Sequence, residues 1–233
     1  MSSAPTYTVL HADTTLLVVD KAPGVLSFPL PGRRERCLLD DLRRDGHKVL
    51  PVHRLDRETS GCLLFGLDPA HREALEAAFR RHEVDKQYLA LVHGVPSRPR
   101  ASIDIPILDE GPRARVDPRG RRAVSHYVVE QAFPARGRNR PAAALVRITL
   151  ESGRHNQARL HLAHIGHPLL GDDKYGRRPR GSPPGAGAAL SAPRCLLHAE
   201  RLALRHPAGG KRLAVTAPLP PDFAAVLSEL RGS

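Results

Sequence analysis

The residues best placed for chemistry lie in His53–Gly61, which reads HRLDRETSG. One carboxylate, Asp56, stands between Arg54 and Arg57, and Thr59, Ser60 and Gly61 follow it. A carboxylate acting as nucleophile or proton acceptor must stay ionised where water is scarce, and a neighbouring guanidinium lowers its pKa. Hydroxyl residues and a glycine can shape the turn that presents it. The bland alternative is a solvated charge cluster. Two further segments weigh against that reading: DKAPG, Asp20–Gly24, and LESGRHNQARLHLAHIGHPLLGDDKYG, Leu150–Gly176. Each mixes charged, polar and glycine residues where sheet-edge loops are expected, and loops on a rigid sheet are where sites are built.

The composition bounds the partners. At 233 residues and 41% hydrophobic, the chain can bury a proper core. Its formal net charge is +12, from 36 Lys and Arg against 24 Asp and Glu, which points to a polyanion. A long apolar run, a basic amphipathic helix and a signal peptide are all missing, which argues against a membrane. Cys37, Cys62 and Cys195 are odd in number, far apart and form no metal pattern, as expected of the reducing cytoplasm. With aromatics at 4% and no Trp, phosphate and shape contacts suit the partner better than stacking on a single strand. His161, His164 and His167 stand three apart, with Asp172 and Asp173 following. Gly166 and Pro168 break the helix between them and no HExxH motif accompanies them, so no metal is expected.

The elements around these segments follow from local pattern. TLLVVDKAPGVLS is an apolar run that closes in a turn at Pro23–Gly24, and GCLLFGL is a short apolar strand. CLLDDLRRDG reads as a helix ended by Gly46. Asp68 and Pro69 begin a helix that runs to about Glu83, with Leu75, Ala78, Phe79 and His82 at helical spacing. KQYLALVHG, SIDIPIL, SHYVVEQAF and ALVRITLES read as strands, NQARLHLAHIG as a helix stopped by Gly166. LLHAERLALRH and KRLAVTA form a last strand pair, and PPDFAAVLSELRG a closing helix. The expected fold class is α+β: a mixed, largely antiparallel central sheet with flanking helices, in a single domain over residues 1–233. The Gly-, Pro- and Arg-rich stretch 176–194 is expected to be a flexible basic loop, a tolerated insertion or a flap that orders on phosphates. Phe133–Pro141 is a similar basic loop.

Taken together, these segments resemble the RluA-type RNA pseudouridine synthases, from about Leu16 to about Ala217. DKAPGVLS is similar to the opening segment of that family, HRLDRETSG to its central signature almost letter for letter, and KQYLALVHG to the segment with its tyrosine. SGRHNQARLHLAHIGHPLLGDDKYG and RCLLHAERL are similar to its last two segments. The resemblance implies a catalytic domain that works without cofactor or metal on ribosomal or transfer RNA, as a monomer. It implies that Asp56 is the catalytic aspartate, that Tyr88 packs against the target base, and that Arg159 pairs with the aspartate. Arg54 then helps to open the RNA stack, Leu197 lines the pocket, and His53 and Arg154 join the substrate-binding set. One departure stands out: His155 and Asn156 occupy positions where the family has Thr or Ser and then His. The N-terminal stretch is also too short for the accessory RNA-binding domain of many relatives, so the catalytic domain must recognise the target by itself.

Three functions compete on these grounds. An RNA-uridine isomerase uses all the segments. A basic RNA-binding protein that has lost catalysis would not need Asp56, Tyr88 and Arg159 together. A metal-dependent phosphodiesterase would rest on the Asp and His cluster alone.

Overall fold

The computed structural model describes residues 5–29, 32, 35–111, 113–135, 142–176 and 192–232. In chain order the elements are β1 (Tyr7–Ala12), β2 (Leu16–Lys21), α1 (Leu38–Arg44), β3 (Leu50–Pro51), β4 (Ser60–Gly66), α2 (Pro69–Arg80), β5 (Asp85–His93) and β6 (Arg100–Asp104). They continue with β7 (Ile107–Asp109), β8 (Ala114–Val116), β9 (Val124–Phe133), β10 (Ala143–Leu150), α3 (Gln157–His164), β11 (Leu197–Arg205), β12 (Arg212–Thr216) and α4 (Pro221–Gly232). This is the mixed, largely antiparallel α+β architecture that the sequence predicts. Residues 177–191 and 136–141 lie outside the described residues, and with them most of the two basic loops.

The chain divides into two compact units. One holds the residues up to Lys86 together with His198–Pro220, the other Gln87–Leu197 together with those from Pro221 on. In the first unit β2 pairs antiparallel with β1 and with β4, and Lys21 stands opposite Gly61. β4 runs parallel to β11, with Ser60 opposite His198 and Gly61 opposite Ala199, and β12 completes a hairpin with β11. Every residue of β4 is buried, which is why it reads as a continuous apolar run rather than an alternating one. Leu16, Val18, Leu64, Leu75, Leu202 and Leu204 form the core of this unit.

In the second unit β10 lies between β5 and β9, and β9 continues to β6, all antiparallel. Val92, Val146, Ile148, Leu162, Leu169 and Leu197 belong to its core. The stretch SIDIPIL does not form one strand. Pro106 cannot donate to a ladder, and the chain leaves β6 there to start the separate hairpin β7–β8. Helix α2 starts as expected, with the Asp68 carboxylate accepting the His71 N–H at 2.9 Å, but stops at Arg80 because His82 turns to φ 59°. Strand β1 is an element that the polar look of the N-terminal stretch concealed.

Gly61 is the tightest point of the fold near the signature. Its φ is +109°, and an added Cβ would lie 2.3 Å from the Ala199 carbonyl oxygen. Gly61→Ala is therefore expected to destabilise the protein by about 3 kcal/mol or more, adding backbone strain to backbone overlap. Urea unfolding measures this, and an unchanged midpoint would show that the β4–β11 approach can relax.

Candidate active site

The signature loop leads from β3 into β4 and is fastened on both sides of Asp56. Before it, the Ser27 hydroxyl donates to the Leu55 carbonyl at 2.8 Å and accepts the Leu55 N–H at 3.2 Å. After it, the Arg57 carbonyl accepts the Gly24 N–H at 2.9 Å and the Lys21 ammonium at 3.1 Å. The same ammonium donates to the carbonyls of Ala22 and Val25, each at 2.8 Å. Lys21 is 0% exposed, so the DKAPG turn and the signature loop share one buried cation. The Thr59 N–H closes the loop on the Asp56 carbonyl at 3.1 Å. Ser60, buried, bonds the His198 ring at 3.0 Å, and that ring reaches the Ala217 carbonyl at 3.3 Å. The far nitrogen faces a carbonyl and must carry the proton, so Ser60 donates to Nδ1.

Within that frame the predicted residues differ in their surroundings. Asp56 is half-buried, and Arg54 is exposed without a hydrogen bond or ion pair among the described residues. Arg57 is exposed and forms an ion pair with Glu35. His53 is turned inward. Its Nε2 accepts the Leu64 N–H at 3.0 Å, and its ring stacks on Phe79 with centroids 4.5 Å apart. Burial, and secondarily the Lys86 charge, pushes its pKa down to about 3. His53 therefore serves as a neutral hydrogen-bond acceptor for β4.

The third segment is built around α3. The Gln157 side-chain oxygen accepts from the Ser152 hydroxyl at 2.8 Å and from the Arg154 N–H at 3.0 Å, while its nitrogen donates to the Val124 carbonyl at 2.8 Å. This fixes the turn that precedes the helix. Arg154 reaches the Arg122 carbonyl through Nε at 3.1 Å, and burial together with the nearby Arg121 charge lowers its pKa. Arg159 forms a two-pronged ion pair with Asp172, Nε to Oδ2 at 2.8 Å and Nη2 to Oδ1 at 2.7 Å. Asp172 is a partner that the sequence reading did not name, since it counted this residue with the histidine cluster. His155 contacts Asp109 at 3.2 Å, and Asn156, at φ 54°, donates to the Tyr175 hydroxyl at 2.9 Å.

Tyr88 lies on β5 opposite Ile148, partly buried against the core of its unit. Leu197 opens β11 and is 4% exposed within the same core. Two of the three histidines that suggested a metal, His161 and His167, are engaged separately. His161 is buried between the Ser125 hydroxyl at 2.9 Å and the Ile105 carbonyl at 3.0 Å, and His167 meets the His93 carbonyl at 3.0 Å. His53, Arg54 and Asp56 thus lie in the first unit, Tyr88, Arg154, Arg159 and Leu197 in the second.

A family model described as RNA pseudouridylate synthase matches residues 15–164. The chain belongs to that family. As a pseudouridine synthase it is an isomerase acting on uridine in RNA. It is 36% identical over 222 residues to the dual-specificity RNA pseudouridine synthase RluA of Escherichia coli K12, covering 92% of this chain and 94% of that protein. It is also 36% identical to the ribosomal large subunit pseudouridine synthase D of Pseudomonas aeruginosa, over 96% of this chain and 71% of the relative. The solved structure of human RNA pseudouridylate synthase domain containing 4 superposes with a TM-score of 0.75 at 26% identity, covering 96% of this chain and 92% of that one. Pseudouridine synthases of the RluA type are the relatives that the motifs had indicated.

Two outcomes follow from the frame. Lys21→Met removes a donor from three carbonyls, of which that of Arg57 keeps the Gly24 N–H, and it is expected to cost about 3 kcal/mol or more in urea unfolding. A midpoint equal to wild type would mean that the ammonium does not hold the loop. His53 gives a pH signature. The unfolded chain takes up a proton near pH 6.5 that the folded chain refuses until about pH 3. Stability from this group is complete above pH 6.5 and declines as pH falls toward 3, by up to about 1.4 kcal/mol per pH unit. His53→Gln should flatten that decline between pH 6.5 and 4, and parallel curves would remove His53 as its source.

Proposed function

We propose that this chain converts particular uridines of ribosomal or transfer RNA to pseudouridine, with Asp56 as the catalytic carboxylate and the whole chain acting as one catalytic domain. The observation that carries the reading is the fastening of the backbone at Leu55 and at Arg57, the residues on either side of Asp56. A solvated charge cluster has no use for a loop held so firmly. A reacting carboxylate does, because small misplacements of a reacting group are costly in rate.

The reaction breaks the bond between uracil and ribose, turns the base, and rejoins it through carbon five. The base must first leave its stack, at a cost of a few kcal/mol. Arg54, exposed and without a partner among the described residues, is suited to contact the opened RNA. Tyr88 would hold the detached uracil as it turns, and Leu197 would line the pocket. Arg159 would supply the positive charge that keeps Asp56 ionised, and Arg154 would contact RNA. Asp56 would either attack the anomeric carbon or remove a sugar proton. The name of the Pseudomonas aeruginosa relative, a ribosomal large subunit pseudouridine synthase, supports ribosomal RNA as one substrate class. The same reading takes the protein as a cytoplasmic monomer that needs neither cofactor nor metal. Among the described residues no helix is long and apolar enough to cross a membrane. The comparisons lend no support to a catalytically inactive RNA-binding protein.

Tritium release from RNA labelled at carbon five of uridine tests the assignment. Asp56→Asn should fold normally, bind RNA as wild type does, and lose at least about a thousandfold in rate. Appreciable turnover by Asp56→Asn would sink the assignment.

A further inference from the structure

The ion pair between Arg159 and Asp172 is a buried charge contact of the third segment. The Asp172 side chain is 0% exposed and that of Arg159 11%. Asp172 Oδ1 also accepts the N–H groups of Lys174 at 3.0 Å and Tyr175 at 2.9 Å. The carboxylate therefore ties its own turn together while gripping the arginine, as aspartates in turns commonly do. Its turn admits little variation. A Cβ on Gly171 would lie 1.9 Å from the Arg194 carbonyl oxygen, and one on Gly176 would lie 2.1 Å from the Asp172 carbonyl oxygen.

The arginine is held on a second side. The Tyr175 ring lies 5.2 Å from the Arg159 guanidinium carbon, in cation–π range. The Tyr175 hydroxyl accepts from Asn156 at 2.9 Å and donates to the Ala114 carbonyl at 3.2 Å. One edge of the guanidinium, Nε and Nη2, is thus set by a carboxylate, and one face is set by a tethered ring. A planar guanidinium fixed in this way must present its opposite edge, through Nη1, in one direction. Burial by itself would raise the Asp172 pKa. The Arg159 bonds and charge, with the two backbone N–H groups, overcome this and hold it below the usual carboxylate range.

We propose that Asp172 is a positioning residue for the isomerisation: it fixes the plane of Arg159, and with it the direction in which that guanidinium acts. This rests on the role given to Arg159 above. It adds a second acidic residue to the working set, one that touches neither RNA nor the reacting atoms.

The test combines single-turnover tritium release at saturating RNA, filter-binding affinity and thermal unfolding. Asp172→Asn keeps the shape and removes the charge. It should lower the single-turnover rate roughly 10- to 100-fold, as expected when a reacting group loses its placement, while RNA affinity stays within about twofold. Asp172→Glu restores the charge on a longer stem and should recover part of the rate. A folded Asp172→Asn with wild-type rate overturns the proposal, and so does a loss explained wholly by RNA affinity. If Asp172→Asn does not fold, Asp172→Glu decides: a reduced rate at unchanged affinity supports positioning, and wild-type rate ends it. If neither folds, Asp172 is a folding residue and the positioning role falls. Asp56→Asn, assayed alongside, separates the two levels. An active Asp56→Asn defeats the catalytic reading itself, whereas an inactive Asp56→Asn beside a fully active Asp172→Asn defeats only this inference.

Discussion

The buried ammonium of Lys21 is the constraint on which the signature loop depends. An ammonium removed from water is costly unless its protons find acceptors, and here each proton meets a backbone carbonyl. Those carbonyls belong to Ala22 in the DKAPG turn, to Val25 just after it, and to Arg57, so a single desolvated charge makes two distant segments into one object. The strand register brings them together first, since Lys21 stands opposite Gly61. Gly61 in turn allows β4 to approach β11, and Ser60 fastens that approach through His198. The sequence DKAPG and the sequence TSG are therefore parts of the same joint.

The two units hold charge differently. In the first unit the Lys21 ammonium donates to three backbone carbonyls, which fix where its charge sits. In the second unit the cation, Arg159, is satisfied by a buried carboxylate that also binds two N–H groups of its own turn. A pair of that kind is strong in geometry and modest in net stability, because the attraction mainly offsets desolvation. Its value lies in fixing direction. The departure at residues 155 and 156 is local to this second arrangement, where Asn156 holds Tyr175 and His155 meets Asp109.

Much of this was legible in the sequence where local chemistry decides the outcome. Apolar runs marked β2 and β4, Asp68 with Pro69 marked the start of α2, and Gly46 and Gly166 marked helix ends. The signature itself announced a carboxylate loop. What stayed hidden was decided by tertiary contact. Nothing local distinguishes a lysine that will be fully buried from one that will be solvated, and nothing local says that His53 will turn inward to accept a backbone N–H. Asp172 was read beside the histidines because they are neighbours in sequence, yet its partner lies 13 positions back on another element. The GDDKYG pattern did carry a signal. An aspartate flanked by glycines and followed by a tyrosine three residues on describes a tight turn closed by its own side chain.

The parallel pairing of β4 with β11 has a consequence for how the protein comes into being. Ser60 and His198 are separated by 138 positions, and the signature loop leads directly into that pairing. At ordinary elongation rates the second partner leaves the ribosome on the order of ten seconds after the first. Through that interval β4 has β2 along one edge and β3 at the far end of the other, while Ser60 and Gly61, at its start, wait for β11. Closing so large a loop is slow and entropically costly, so the segment that reads as most ready for work is among the last to acquire its final shape. A nascent chain can thus own every residue of the signature and still lack the strand that completes it.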